Sequence, residues 1–129
     1  MKRYERFKTS EYDQIPSLYD EVGNVIRFGF TQATKQDEEG NDVQVYRGYN
    51  IPLSGHFDYG HIKSQIIEHV YAPKEEFAIL NNAVSALVKE RSGVTDDPSI
   101  EEDITAFVDF DEWRAIAGDA AKELMDSKK

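Results

Sequence analysis

The sequence has no cysteine and no long apolar run. The lack of cysteine excludes disulfide bonds, thiolate metal sites and a cysteine nucleophile. No stretch approaches the ~18 apolar residues that a membrane span needs. The basic start of the chain is not followed by the apolar segment that a secretory signal requires. We therefore expect a cytoplasmic protein that does not insert into a membrane.

Clustered cations are also scarce. The formal net charge is −10, and the only dense group of basic side chains is Lys2, Arg3, Arg6 and Lys8, with Glu5 among them. Binding to nucleic-acid phosphates depends on such a group of Lys and Arg side chains. The sequence therefore predicts no nucleic-acid partner, and the N-terminal cations fit a charged edge strand that resists pairing with other chains.

Motifs of well-known catalytic sites are missing as well. The sequence contains neither a phosphate-binding P-loop, nor a glycine-rich dinucleotide motif, nor the serine motif of a nucleophile elbow. Pairs of carboxylates occur by chance in a chain with 25 acidic residues, so they carry no weight as catalytic candidates. We expect a protein that is not an enzyme and that binds no cofactor.

The length of 129 residues predicts a single domain, residues 1–129. Its first part, residues 1–54, is rich in strand patterns, and its second part, residues 55–129, is helical. At the start of the first part, the weak alternation over residues 2–8 predicts a short strand, and the mixed composition of residues 9–21 predicts a loop.

Two clearer strands follow. Residues 25–32 alternate, with Ile26, Phe28 and Phe30 on one face, and residues 43–51 alternate again after a polar loop. Two alternating runs around a polar loop indicate an antiparallel hairpin. A lone hairpin is only marginally stable in water, so we expect a third strand, helices or a partner to cover its apolar face.

The second part carries helical patterns. A first helix is expected after Asp58 as its N-terminal cap, and a second begins at Pro73 and stops near Gly93. The second helix has an apolar stripe made of Phe77, Leu80, Ala83, Val84, Leu87 and Val88. The last helix covers residues 109–126, and residues 100–108 are helical and either join it or bend away at its start.

Strand runs followed by helix runs predict an α+β fold. An N-terminal antiparallel β-hairpin of two or three strands is expected to pack against three or four C-terminal helices. This arrangement places the strands and the helices in separate parts of one domain.

The most conspicuous local feature is an acidic stretch from Asp96 to Glu112 without any Lys or Arg. Its carboxylates are Asp96, Asp97, Glu101, Glu102, Asp103, Asp109, Asp111 and Glu112. A calcium loop of the EF-hand type is excluded by their spacing, because it requires ligands at fixed positions and a central glycine. Two interpretations stay open: a solvated helix face, and a surface that binds a protein partner.

Three histidines were considered as metal ligands. His56, His61 and His69 lie five and eight residues apart, whereas two histidines on one helix bind zinc at a separation of four. Ser54 lies near His56 in the sequence, but no third group that would orient a catalytic pair can be recognised. We therefore expect no metal site and no catalytic histidine.

The helical part resembles a known group of proteins. The segments 58–67, 70–82 and 110–117, with their Tyr, Asn and Trp-Arg positions, are similar to small uncharacterised prophage-associated proteins of gut Bacteroidetes, often encoded beside tail genes. The similarity extends over about residues 57–124. It implies a phage-associated accessory role, and it implies no functional residues.

Three functional hypotheses follow. The first is a non-enzymatic protein-interaction module that binds a protein partner or itself, such as a phage tail accessory or assembly protein. The second is an acidic mimic of DNA that inhibits a nucleic-acid-binding protein of the host, which requires carboxylates in rows on one continuous face. The third is a small hydrolase-type enzyme, which requires a deep pocket with converging polar groups.

Overall fold

Strands come first along the chain and helices follow. The computed structural model describes residues 1–128. After a short 3₁₀ helix at Arg3–Phe7, its elements are β1 (Ser10–Tyr12), β2 (Tyr19–Asp20), β3 (Val25–Gln36), β4 (Asp42–Pro52), α1 (Tyr59–Val70), α2 (Pro73–Arg91) and α3 (Ser99–Ser127). The strands form one antiparallel sheet in the order β1-β4-β3-β2. The predicted α+β fold, with N-terminal strands and C-terminal helices, is confirmed.

The predicted hairpin is the centre of the sheet. In β3 and β4, Ile26 lies opposite Ile51 and Phe28 lies opposite Tyr49, and all four side chains are buried. Both strands are longer than the alternating runs in the sequence. The short strands β1 and β2 pair with the two outer sides of this hairpin, so they satisfy part of its edges.

A β-bulge interrupts the hairpin directly after Phe28. Gly29 has φ +70°, and the pairing register shifts before it resumes. The extra residue turns Phe30 to the face opposite Phe28, where its ring lies against Gly48 and meets Tyr12 edge-on at 5.6 Å between centroids. The prediction that Phe30 shares a face with the core residues of β3 was therefore wrong.

The N-terminus differs from the prediction. Residues 2–8 do not form a strand, because Arg3–Phe7 is a 3₁₀ helix that turns the ring of Tyr4 into the core. The segment 9–21 was predicted as a loop, and it contains the two short edge strands. In these two places strand pairing and one buried aromatic ring outweigh a weak local pattern.

The helix boundaries follow the capping signals. The Asp58 side chain accepts a hydrogen bond from the amide of His61 at 2.9 Å, which caps α1. Pro73 is the first residue of α2, and Gly93, with φ +85°, follows its end. There are three helices within residues 1–128, and α3 runs unbroken over 29 residues, so residues 100–108 join the last helix.

The core is built around Trp113 of α3. Its ring lies 5.5 Å from Tyr4, 6.2 Å from Phe28 and 5.0 Å from Tyr49, measured between centroids. Its indole N–H donates to the carbonyl oxygen of Ile66 in α1 at 3.2 Å. This one side chain therefore joins the 3₁₀ helix, the sheet, α1 and α3.

Candidate interaction surface

Helix α2 lies at the edge of the molecule and packs against α3. Its two fully buried side chains are Ala83 and Ala86, and the half-buried Ile79 contacts the core. These three residues follow one row along the helix at spacings of four and three. Small residues on this row allow α2 and α3 to approach closely, and within α2 only Ile79 packs against the central core cluster.

The bulky apolar residues of α2 point elsewhere. They lie about a third of a turn around the helix from the alanine row. We define the α2 stripe as Phe77, Leu80, Val84, Leu87 and Val88, whose exposed fractions are 68, 40, 62, 57 and 60%. Of the six apolar residues in the stripe predicted from the sequence, only Ala83 is buried.

The α2 stripe differs from the other exposed apolar residues. Single apolar residues such as Val22 and Ile15 are scattered over loops, which is normal for a protein surface. The stripe instead places five large side chains on one helix at spacings of three and four. A contiguous apolar patch of this kind on a folded protein makes the α2 stripe a candidate docking surface.

The central segment of the stripe carries no charge. The segment from Phe77 to Val88 contains no charged residue, in a chain of which 31% of residues are charged. Two asparagines, Asn81 and Asn82, and Ser85 supply its exposed polar groups. A macromolecule that docks on this segment does not have to desolvate a charged side chain, because the charged residues of α2 flank it at both ends.

The acidic residues proposed as a partner surface do not form one face. Asp96, Glu101, Glu102 and Asp111 are exposed, whereas Asp97, Asp103, Asp109 and Glu112 are half-buried. Around α3, Glu101, Glu102, Asp109 and Glu112 fall within about 100° of one another, whereas Asp103 and Asp111 lie on other sides of the helix. The eight carboxylates therefore do not all lie in the continuous row that a phosphate mimic requires, although four of them share one side of α3.

Two of these carboxylates serve the fold. Asp97 accepts hydrogen bonds from the Ser99 hydroxyl at 2.7 Å and the Ser99 amide at 3.0 Å, and it pairs with Lys89 at 3.1 Å. The pKa of Asp97 is lowered to about 2. The hydrogen bonds from Ser99 are the largest cause, and the interaction with Lys89 is the next largest. The Asp97 carboxylate thus fixes the connection between α2 and the start of α3.

Glu112 joins α3 to the N-terminus. It forms an ion pair with Lys2 and accepts a hydrogen bond from the Tyr4 hydroxyl at 2.9 Å. The pKa of Glu112 is lowered, and the hydrogen bond from Lys2 is the largest cause and the bond from Tyr4 the next largest. A carboxylate that is engaged in this way is less available to a partner than the exposed ones.

The histidine region shows structural contacts. The ring of His61 hydrogen-bonds through Nε2 to the backbone carbonyl oxygen of Ser54 at 2.8 Å. The Ser54 hydroxyl instead donates to Oε1 of Gln65 at 3.2 Å. His61 therefore faces a carbonyl group, and His56, the histidine that lies near Ser54 in the sequence, has its ring 6.3 Å from that of His61 between centroids.

A surface groove of about 640 Å³ lies between the end of α2 and the start of α3. Val94, Ile100 and Ile104 form its apolar lining, and Asp97 and Glu101 are among its acids. A general base works best with a pKa near the working pH. Since the pKa of Asp97 is about 2, this carboxylate is a poor proton acceptor at neutral pH.

Within residues 1–128, no group of three or more His, Asp or Glu side chains is placed to hold a metal ion. In the same part of the chain, no helix combines the length and the apolar character of a membrane span. No family model matches the sequence, and no curated protein or solved structure matches it significantly. The resemblance of residues 57–124 to prophage-associated proteins therefore stays a prediction.

The sequence predicted a partner surface on the acidic stretch and did not single out the α2 stripe. The acidic stretch attracted attention because of its composition, whereas the α2 stripe looked like an ordinary core face. One signal was present: a second row of small residues, with Ala83 and Ala86 beside Ile79, runs along the same helix. A helix with two apolar rows of different size can bury one row and leave the other uncovered.

Proposed function

We propose that this chain is a non-enzymatic, cytoplasmic protein-interaction module that docks through the α2 stripe. The observation that supports this proposal most is the exposure of five large apolar side chains on one face of one helix. Such a face leaves apolar surface in contact with water, and docking removes it from water.

The size of the effect is sufficient for a specific contact. Full burial of a Val, Leu or Phe side chain is worth roughly 1.5–3 kcal/mol. Each residue of the α2 stripe is already partly covered, so docking gains on the order of 1 kcal/mol for each of the five. This gain must exceed the entropy lost on association, which makes the central residues of the stripe the most important ones.

The acidic surface outside α2 has a supporting role in this proposal. Exposed carboxylates such as Asp96, Glu101 and Glu102 lie outside α2. With a net charge of −10 they keep the chain in solution despite its apolar stripe, and they slow unspecific association. In this proposal the acids that the sequence predicted as a partner surface make only a secondary, long-range electrostatic contribution to docking.

The biological setting is proposed from the sequence alone. The similarity of residues 57–124 to prophage-associated proteins implies an accessory or assembly role in a phage particle. Interaction modules without catalytic chemistry fit such a role. Mimicry of DNA has less support, because Asp103 and Asp111 lie away from the other acids of α3, and Glu112 is engaged by Lys2 and Tyr4.

A photo-cross-linking experiment tests the docking surface. A photoreactive amino acid is placed at Val84, within the α2 stripe, and in a second variant at the neighbouring Ser85, which is exposed on the polar face. Irradiation in the native cells is expected to give a discrete adduct from position 84 and none from position 85. Equal adducts from both positions, or none from position 84, would contradict the proposal.

A further inference from the structure

The α2 stripe is partly complementary to itself. Counted from Val84, the residues of this face lie at −7, −4, −3, 0, +3, +4 and +7. They are Phe77, Leu80, Asn81, Val84, Leu87, Val88 and Arg91. When two copies meet around a two-fold axis at Val84, each residue faces the one at the opposite offset, so Leu80 faces Val88 and Phe77 faces Arg91, whereas Asn81 faces Leu87.

We propose that the partner is a second copy of this chain, and that the two α2 helices pair antiparallel with the two-fold axis at Val84. This inference rests on the proposed docking function of the α2 stripe. In the pair, Val84 meets Val84 of the second copy, and Leu80 meets Val88 of the second copy. Phe77 then lies opposite Arg91 of the second copy, at both ends of the interface.

The distribution of charge allows two acidic molecules to meet on this face. Helix α2 carries three acidic residues (Glu75, Glu76, Glu90) and three basic residues (Lys74, Lys89, Arg91), so its formal charge is zero. The whole net charge of −10 therefore lies on the rest of the chain. Two copies repel each other through most of their surface, and α2 is the neutral face through which they can approach.

The ends of the stripe favour the antiparallel arrangement. Arg91 is exposed in the last turn of α2, and Phe77 is exposed near its start. In the antiparallel pair each guanidinium group lies at a phenyl ring, which is a favourable cation–π contact. A parallel pair would place Arg91 beside Arg91, and like charges in close contact are unfavourable. The dipoles of the two helices also point in opposite directions in the antiparallel pair, which is the favourable arrangement.

The size of the face sets the strength of the pair. A stable interface of standard size takes roughly 800 Å² from each partner. Five partly covered side chains supply less than this, so we expect a dimer with a dissociation constant in the micromolar range or weaker. Because the rest of each copy is strongly negative, added salt is expected to strengthen the dimer by screening that repulsion.

The absence of cysteine makes cross-linking a direct test. Single-cysteine variants Val84→Cys, Phe77→Cys, Arg91→Cys and Ser85→Cys are oxidised in the full chain. We expect Val84→Cys to form a covalent dimer at least about tenfold faster than Ser85→Cys. Phe77→Cys alone is expected to react slowly, whereas a mixture of Phe77→Cys and Arg91→Cys reacts fast.

Other patterns would overturn the inference. If Phe77→Cys and Arg91→Cys each react fast with themselves, the helices are parallel. If Val84→Cys reacts no faster than Ser85→Cys, the stripe does not pair with its own copy. The failure of the proposed function is a separate result. It would also require that photo-cross-linking at position 84 gives no adduct of any mass.

Sedimentation velocity measures the monomer–dimer equilibrium of the same chain. The wild-type chain is expected to change from monomer to dimer as its concentration rises. Val84→Glu places two carboxylates on the two-fold axis and is expected to raise the dissociation constant at least about tenfold, while Ser85→Glu leaves it unchanged. Circular dichroism is used to check that both variants are folded. A wild-type chain that stays monomeric up to millimolar concentration would overturn the inference.

Discussion

The ring of Tyr4, in the N-terminal 3₁₀ helix, stacks on the indole ring of Trp113 in α3 at a centroid distance of 5.5 Å and an interplanar angle of 17°. These two residues are 109 positions apart in the sequence. Their contact holds the first residues of the chain against its last helix, and the Tyr4 hydroxyl adds a hydrogen bond to Glu112 from the same helix. The N-terminus is therefore part of the core.

Removal of the Tyr4 ring tests this connection. Tyr4→Ala is expected to lower the free energy of unfolding by about 3 kcal/mol, because a buried aromatic contact is lost and a cavity remains. Tyr4→Phe keeps the ring and loses only the hydroxyl bond to the Glu112 carboxylate, so its cost is expected to be smaller, about 1–2 kcal/mol. Urea unfolding followed by circular dichroism measures both. Equal effects of the two variants would show that the stacking contributes little.

The orientation of α2 is tested by two neighbouring residues. Leu87 is 57% exposed and Ala86 is 1% exposed. Leu87→Ser is therefore expected to change the free energy of unfolding by no more than about 0.5 kcal/mol. Ala86→Leu forces extra volume between α2 and α3 and is expected to cost about 1–3 kcal/mol. The opposite order in denaturant unfolding would mean that the bulky stripe faces the core.

The bulge in the hairpin leads to a third prediction. A Cβ atom on Gly48 would lie 2.6 Å from the Phe30 ring and 2.8 Å from the carbonyl oxygen of Phe28. Gly48→Ala is therefore expected to destabilise the fold by about 1–3 kcal/mol. Gly60→Ala, in the first turn of α1, meets no atom closer than 3.6 Å and is expected to leave the stability equal or raised. Thermal unfolding compares the two, and an unchanged Gly48→Ala midpoint would contradict the packing of Phe30.

The carboxyl group of Asp97 gives a prediction about pH. Its pKa in the folded chain is about 2, which is below the value of about 4 in an unfolded chain. A depressed pKa adds stability at pH values above about 4, and this contribution is lost as the pH falls from about 4 towards 2. Carbon-13 NMR titration of the carboxyl groups measures the pKa directly.

Two variants separate the causes of this shift. Because Ser99 is the largest cause, Ser99→Ala is expected to raise the pKa of Asp97 more than Lys89→Met does. The same Ser99→Ala variant is expected to lose less stability between pH 4 and pH 2 than the wild type. If Lys89→Met has the larger effect, the ion pair and not the helix-start hydrogen bonds controls this carboxylate.

The sequence predicted the parts of the fold that local chemistry determines. Ile26 and Ile51 alternate with polar neighbours, and Asp58, Pro73 and Gly93 carry the signals of helix ends. Each of these features acts within a few residues, so it is visible without the tertiary structure. The order of strands and helices then sufficed for the fold class.

Other parts depend on contacts that no local pattern contains. Gly29 and Gly48 indicate a bulge or a close contact in these strands, but the alternation over residues 25–32 does not show that the bulge turns Phe30 to the other face. The rows through Val84 and through Ala83 both have helical spacing, and only the close approach of α3 decides which of them is buried. Tyr4 belongs to the core because of Trp113, far away in the sequence.

Hydroxyl-radical footprinting at several protein concentrations tests most directly the central proposal that the exposed α2 stripe docks on a second copy of the chain. Phe77 and Leu87 of the stripe are compared with the buried Phe110, which serves as an internal control. We predict fast oxidation of Phe77 and Leu87 in dilute protein and protection of both at high concentration, with Phe110 slow throughout. Protection of Phe77 and Leu87 at every dilution, or fast oxidation at every concentration, would contradict the self-docking of an exposed stripe.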